Sequence, residues 1–211
     1  MAVDGPAASG KSTTAKAIAA ELNFEYLDTG AMYRASAFLV SSSGGDLSRG
    51  AEAASIIASH SIDVSSRGVF LDGQDISGSI RSREVSDAAS RISVLPEVRQ
   101  RMVAMQRAFG DKYNTVAEGR DMGTVVFPRA DLKVYVVADI AIRAVRRLRD
   151  LGGGAMTEMV SSMFIRDHRD RTRDESPLRL PPGALWLDGT SMTVADQVEF
   201  VLDHYRRRRR R

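Results

Sequence analysis

Cysteine is absent from the 211-residue chain, and histidine is limited to His60, His168 and His204. The first absence removes disulfide scaffolds, thiol catalysis and thiolate metal centres together, and the second leaves little for a zinc site. Long apolar runs are missing as well, since no uncharged stretch approaches the roughly 18 to 20 residues of a membrane helix. The opening Met1-Ala2-Val3-Asp4-Gly5 has neither the basic start nor the apolar centre of a secretory leader. These absences lead us to expect a cytoplasmic protein. Asparagine occurs only at Asn23 and Asn114, followed by Phe24 and Thr115, so the Asn-Lys-x-Asp element with which GTPases read guanine is not there. Lysine is scarce too, four residues against 26 arginines. What remains, 43% hydrophobic and 27% charged residues, is the composition of a soluble globular domain and not of a disordered or fibrous chain.

The formal net charge of +3 is a property of one end. Six arginines, Arg206 to Arg211, close the chain, and without them 24 cationic residues face 27 acidic ones. A run of like charges at a terminus reads first as a solvated, frayed helix end or an added remnant. A nucleic-acid-binding module working through this tail is the non-enzymatic alternative.

No internal repeat or long linker interrupts the chain, and short apolar runs alternate with helical periods, which predicts an α/β fold with a parallel sheet. Met1 to Asp4 reads as a very short strand, Lys11 to Leu22 as a helix, Phe24 to Leu27 as a strand and Ala31 to Ser42 as a second helix. Between Ile62 and Asp75 the texture changes to short antiparallel strands with a turn at Asp72-Gly73. Helices follow at about Glu84 to Ile92 and from Pro96 to a stop at Gly110. Thr115 to Glu118 and Leu132 to Ala138 have the continuous apolar character of inner strands. Ile140 to Leu151 and Met156 to about Arg173 read as charged helices joined by Gly152-Gly153-Gly154, a hinge candidate. Ala184 to Asp188 supplies a last strand, and Thr193 caps a last helix to Arg206.

Gly5-Pro6-Ala7-Ala8-Ser9-Gly10-Lys11-Ser12 matches G-x-x-x-x-G-K-[ST] without a mismatch, between a strand and an amphipathic helix, which is the context the motif requires. Backbone N–H groups of such a loop and of the helix start converge on anionic oxygens, and the helix dipole adds positive potential. Lys11 is expected on the β- and γ-phosphates of a nucleotide and the Ser12 hydroxyl on Mg²⁺, with Gly5 to Ser12 and Thr13 lining the nucleotide site. Two arginines recur beside strand ends, Arg34 in Asp28-Thr29-Gly30-Ala31-Met32-Tyr33-Arg34 and Arg120 in Glu118-Gly119-Arg120-Asp121-Met122-Gly123. One such arginine is commonly a surface ion pair, but two such loops favour a phosphate clamp. Arg166, Arg169, Asp170 and Arg173 share one helical face next to the glycine hinge, which suits a lid carrying cations over transferring phosphates. At this length a small-molecule kinase is favoured over a motor or helicase.

Together with Leu27, the run Thr124-Val125-Val126-Phe127-Pro128 and the pattern Arg166-Asp167-x-Arg169-Asp170-x-x-Arg173, these motifs resemble bacterial cytidylate kinase, in order from residue 3 to about 190. The six-arginine tail lies outside that match. The resemblance implies a three-layer P-loop α/β/α core at about 1–60, 96–148 and 178–205, a β-containing nucleotide-binding insert at about 61–95, a helical lid at about 149–177 and the tail at 206–211. It implies transfer of a phosphoryl group from ATP, with Mg²⁺, to CMP or dCMP by a monomer that needs neither nucleic acid nor membrane. Arg34 and Arg120 would hold the acceptor phosphate, Thr29, Arg99, Asp121 and Arg173 the cytosine, and Ser90, Arg166 and Asp170 the ribose. Lys11, Arg120, Arg166 and Arg169 would stabilise the transferring group. Glu118 stands where an aspartate is also usual in the family. The enzymatic alternative is another small P-loop kinase acting on UMP, AMP or a different small acceptor.

Overall fold

A computed structural model describes residues 1–65 and 68–209, so Arg210 and Arg211 of the basic tail and residues 66 and 67 of the expected insert lie outside the described residues. In chain order the elements are β1 (Ala2–Asp4), α1 (Lys11–Leu22), β2 (Glu25–Asp28), α2 (Thr29–Ser42), α3 (Gly50–Ala58), β3 (Ile62–Ser65), β4 (Gly68–Leu71) and β5 (Gln74–Asp75). They continue with α4 (Arg83–Ile92), α5 (Pro96–Lys112), β6 (Thr115–Gly119), β7 (Lys133–Val137), α6 (Ile140–Leu151), α7 (Met156–Thr172), β8 (Leu185–Asp188) and α8 (Val194–Arg209). A π-helical turn spans Met122–Val126. The chain forms two compact units, Met1–Phe24 with Val116–Arg211, and Glu25–Thr115.

The first unit is built on parallel strands in the order β6-β1-β7-β8. β1 pairs with β6 and with β7, placing Val3 beside Glu118 and Val134, and β7 pairs with β8, placing Val136 beside Leu187. Val3, Val116, Val134, Val136 and Leu187 are buried, as expected of strands covered on both faces. The same register sets Asp4 beside Gly119 and Tyr135. The loops leaving β1 and β6 therefore start from neighbouring carboxyl ends of one sheet, the edge at which open α/β sheets bind ligands. α1 packs on α8, and α6 on α7, where Ala144, Met159 and Met163 form an apolar seam with Ala8, Leu148, Leu151 and Val160.

The second unit packs α2 against α4 and α3 against α5 around buried Ile57, Ile92, Val98 and Met102. β3, β4 and β5 form an antiparallel sheet in that order. Asp72 and Gly73, with φ of 50° and 84°, make the two-residue link from β4 to β5, the left-handed pair that a tight hairpin needs. The insert expected at about 61–95 falls within this unit, together with α2, α3 and α5.

One helix end and one whole helix that differ from expectation have local reasons. α5 runs through Gly110 to Lys112, where Tyr113 donates its N–H to the Phe109 carbonyl at 3.1 Å and the two rings lie 5.0 Å apart. That seam outweighs the helix-breaking tendency of one glycine, about 1 kcal/mol. α3 has no expected counterpart. It opens without a side-chain cap and buries only Ala53 and Ile57, one contact per turn.

Candidate active site

The phosphate loop is shaped by the backbone before any side chain acts. Gly5 has φ 155°, and a Cβ there would run into the Val136 carbonyl. Ala8 and Gly10 follow in left-handed conformations, with φ of 55° and 96°. Gly10 leaves the first N–H groups of α1 without a side-chain cap, so they remain available to an anion. Two guanidinium groups of α6 hold the other side of the loop: Arg143 donates to the Ala7 carbonyl at 3.1 Å, and Arg146 to the Ser9 carbonyl at 3.2 Å and the Gly189 carbonyl at 2.7 Å. The buried Ser9 hydroxyl has no hydrogen-bond partner among the described residues.

Lys11 and Ser12 meet on one carboxylate. Lys11 Nζ donates to the Pro6 carbonyl at 3.2 Å and lies 3.7 Å from Glu118 Oε2, while the Ser12 hydroxyl donates to Glu118 Oε1 at 2.6 Å. Lys11 and Glu118 are both buried, so neither charge is left to bulk water. Thr13 is exposed, and Thr14 anchors α1 by donating to Gln197 Oε1 on α8 at 2.7 Å.

One residue beyond Gly119, the chain enters the second part of the site. Arg120 Nε lies 2.7 Å from Asp170 Oδ2 on α7, and Arg173 lies 3.8 Å from Asp121 while donating to the Ser176 carbonyl at 2.8 Å. Burial alone would raise the Asp170 pKa, but the charges of Arg120, Arg166 and Arg173 hold it below the usual carboxylate range. Burial works against the charged form of Arg120 also, and Asp170, with Glu118 and Asp167, more than compensates. Arg166 and Arg169, half-buried, lie on the same helix. Asp170, expected at a ribose, and Arg120, expected at a phosphate, are thus joined to each other.

The remaining acceptor candidates belong to the second unit. Thr29 is buried at the start of α2, and Asp28 caps that helix by accepting from the Ala31 N–H at 2.7 Å. The second oxygen of Asp28 pairs with Arg34 at 3.1 Å. Arg99 is buried and donates to the Tyr33 hydroxyl and the Ser93 carbonyl, each at 3.2 Å, and Ser90 is buried on α4.

Several residues at these places carried no signal strong enough to be named as site residues. Glu118 was visible as an acid ending an apolar strand, but its bond to Ser12 spans 106 positions. Arg143 and Arg146 looked like the rest of an arginine-rich helix. Asp167, within the lid pattern, forms a buried ion pair with Arg143 at 2.7 Å.

The cytidylate kinase family model matches residues 1–207, which takes in Arg206 and Arg207 of the tail expected to lie beyond the resemblance. The chain is 40% identical over 214 residues to a cytidylate kinase of Solibacter usitatus, covering 99% of this chain and 92% of the relative. It is 46% identical over 218 residues to one from Salinibacter ruber, covering 96% and 95%, and 38% identical over 211 residues to one from Neisseria gonorrhoeae, covering 98% and 97%. A phosphate loop whose lysine and serine share a buried acid and likeness along almost the whole length agree, and the chain belongs to the cytidylate kinase family.

Proposed function

We propose that this protein transfers the γ-phosphoryl group of ATP to CMP or dCMP, giving ADP and CDP or dCDP. The observation that carries the reading is the convergence of Lys11 and Ser12 on Glu118, two positions ahead of Arg120 and three ahead of Asp121. One strand end thereby links donor machinery to acceptor machinery.

Mg²⁺ suits the residues present. Ser12 and its carboxylate neighbour are hard oxygen donors, and the described residues hold no cluster of three acidic or imidazole ligands. Magnesium in kinases typically takes one or two protein oxygens and fills its shell with phosphate and water. Ser12 would hold it, and it would neutralise charge between the β- and γ-phosphates. Glu118 orients the Ser12 hydroxyl and balances Lys11.

No general base is required, because the acceptor is a phosphate oxygen with a second pKa of about 6, largely ionised near neutral pH. That oxygen forms the new bond to the γ-phosphorus as the bond to the departing ADP oxygen breaks. Lys11, Arg120, Arg166 and Arg169 are assigned to the charge that spreads over the equatorial oxygens. Arg34 and Arg120 are assigned to the acceptor phosphate, Thr29, Arg99, Asp121 and Arg173 to the base, and Ser90, Arg166 and Asp170 to the sugar. Following ADP formation with ATP, Mg²⁺ and a panel of CMP, dCMP, UMP and AMP tests the reading. CMP and dCMP should exceed the others in kcat/KM by at least about tenfold, and a preference for UMP or AMP would overturn it.

A further inference from the structure

Asp4 is the last residue of β1, one position ahead of the glycine that opens the phosphate loop, and it is completely buried. Its backbone is already paired with β6 and β7, so the sheet does not depend on its side chain. A carboxylate in such a place carries a desolvation cost that a neighbour such as Val3 avoids. Its two oxygens each accept one N–H from consecutive residues of the π-helical turn, Oδ1 from Met122 at 2.7 Å and Oδ2 from Gly123 at 2.8 Å. That turn has no side-chain cap of its own residues, and it follows Arg120 and Asp121 directly. Two charge-assisted bonds to adjacent amides fix a peptide segment in both place and orientation.

We propose that Asp4 is a positioning residue for the acceptor: by clamping the turn after Arg120-Asp121 to the strand that launches the phosphate loop, it sets the acceptor-binding loop relative to the donor-binding one. The proposal rests on the assignment of Arg120 and Asp121 to the acceptor. A two-point tether one position ahead of the donor loop has a mechanical consequence that a general stabilising contact lacks. Releasing it lets Arg120 and Asp121 shift together while Gly5 to Ser12 stays held by Arg143 and Arg146. In-line transfer is sensitive to such shifts, because an ångström of misplacement costs on the order of a hundredfold in rate.

Asp4→Asn is the direct test, since its side-chain amide offers one acceptor oxygen and turns an N–H₂ group toward the second backbone N–H. KM for CMP should rise about tenfold or more and kcat should fall, with KM for ATP changed less than about twofold. The amide proton signals of Met122 and Gly123 and the Arg120 Nε–H signal should all move. A variant with lowered melting temperature but unchanged KM for both substrates and an unmoved Arg120 Nε–H signal would show a purely structural role and overturn the proposal, even though the directly bonded Met122 and Gly123 signals move. Asp4→Ser, too short to reach both amides, is read the same way if the asparagine variant does not fold. The wild-type enzyme supplies a variant-free measurement. Burial raises the Asp4 pKa to about 6, against the opposing pull of the two backbone hydrogen bonds, with Asp121 raising and Arg120 lowering it and Tyr135 on the adjoining strand. Met122 and Gly123 amide signals should therefore titrate together, accompanied by Arg120 Nε–H, and signals that titrate separately or not at all overturn the clamp. Failure of the wild type to phosphorylate CMP would instead sink the acceptor assignment, and the coupled signals would still decide whether Asp4 sets the loop.

Discussion

At the scale of single residues, the distinction between what a chain spells out and what it conceals follows sequence separation. Gly5 to Ser12 could be read directly, because a loop that wraps phosphate needs glycines at positive φ and a lysine at fixed spacing, all within eight residues. Asp4 could not, since its partners lie 118 and 119 positions away and nothing local distinguishes a clamping aspartate from an exposed one. Its burial nevertheless has a measurable signature. With a folded pKa near 6 against an ordinary 3.8, the native chain holds this proton more tightly than the unfolded chain. The stability contributed by the proton is full below the unfolded value and is lost as pH rises through about 6. Between pH 7 and pH 5 the wild type should gain about 1 kcal/mol relative to Asp4→Asn, as measured by denaturant unfolding of both proteins. A difference that stays flat or runs the other way would contradict the burial argument. Asp170 presents the opposite case: its helical face was legible, but its pairing with Arg120 was not, so removal should have two consequences. Loss of the Arg120 partner weakens both substrates, whereas loss of a hydrogen bond to the 2′-hydroxyl weakens only CMP. A bond to a charged group contributes about 1.5–3 kcal/mol. In Asp170→Ala the ratio of kcat/KM for CMP over dCMP should therefore fall by about ten- to a hundredfold, and an unchanged ratio would mean Asp170 serves only to hold Arg120.

At the scale of elements, the parallel strands and long helices could be anticipated, because buried apolar runs and helical spacing are local properties of the chain. α3 was not, since a helix with one buried contact per turn and no cap leaves almost no periodic signal. The relation of α7 to the phosphate loop was equally illegible, because its polar part passes through an arginine on a third element and its apolar part is the contact of Ala8 with the Met159–Met163 seam, far away in sequence. Arg143 on α6 donates to the Ala7 carbonyl through the same nitrogen that pairs with Asp167 on α7, and both side chains are buried. The helix bearing Arg166, Arg169 and Asp170 is thus tied to the donor loop by a buried charge pair as well as by the apolar seam of Met159 and Met163. Arg143→Met would keep most of the side-chain volume and leave Asp167 as an unpaired buried carboxylate. Breaking a buried pair from one side costs about 3–5 kcal/mol, whereas replacing both partners can be close to neutral. Thermal unfolding should accordingly show a large loss for Arg143→Met and substantial recovery when Asp167→Leu is added. No recovery in the double variant would assign the loss to the Ala7 and Ala138 carbonyls, which Arg143 also serves.

At the scale of the whole molecule, the charge balance changes sign according to whether the terminal arginines are counted, and their placement indicates what that charge is for. α8 continues as helix to Arg209, three residues past the expected end at Arg206, with Arg206 to Arg209 exposed. The attachments of that end are peripheral: Arg207 pairs with Asp203 at 2.7 Å one turn earlier with both side chains largely exposed, and Arg209 stands 5.9 Å from the centre of the Tyr205 ring. Exposed pairs of this kind contribute about 0–1 kcal/mol and are screened by salt. What fixes α8 to the first unit lies earlier, in buried Gln197, Val201, Leu202 and Tyr205, while its start is closed by the capping box in which Thr193 and Asp196 bond each other's backbone N–H. None of the residues assigned to donor or acceptor lies beyond Arg173. Removing residues 206–211 should therefore leave kcat and both KM values within about twofold at physiological ionic strength, and lower the melting temperature only slightly. The deletion would also turn the net charge negative and bring the isoelectric point well below 9.4, so binding to anionic resins or nucleic acid should fall steeply with no parallel change in turnover. If turnover fell with binding, the charge of the tail would have to act on the chemistry, through substrate steering or assembly, and its separation from the catalytic apparatus would be refuted.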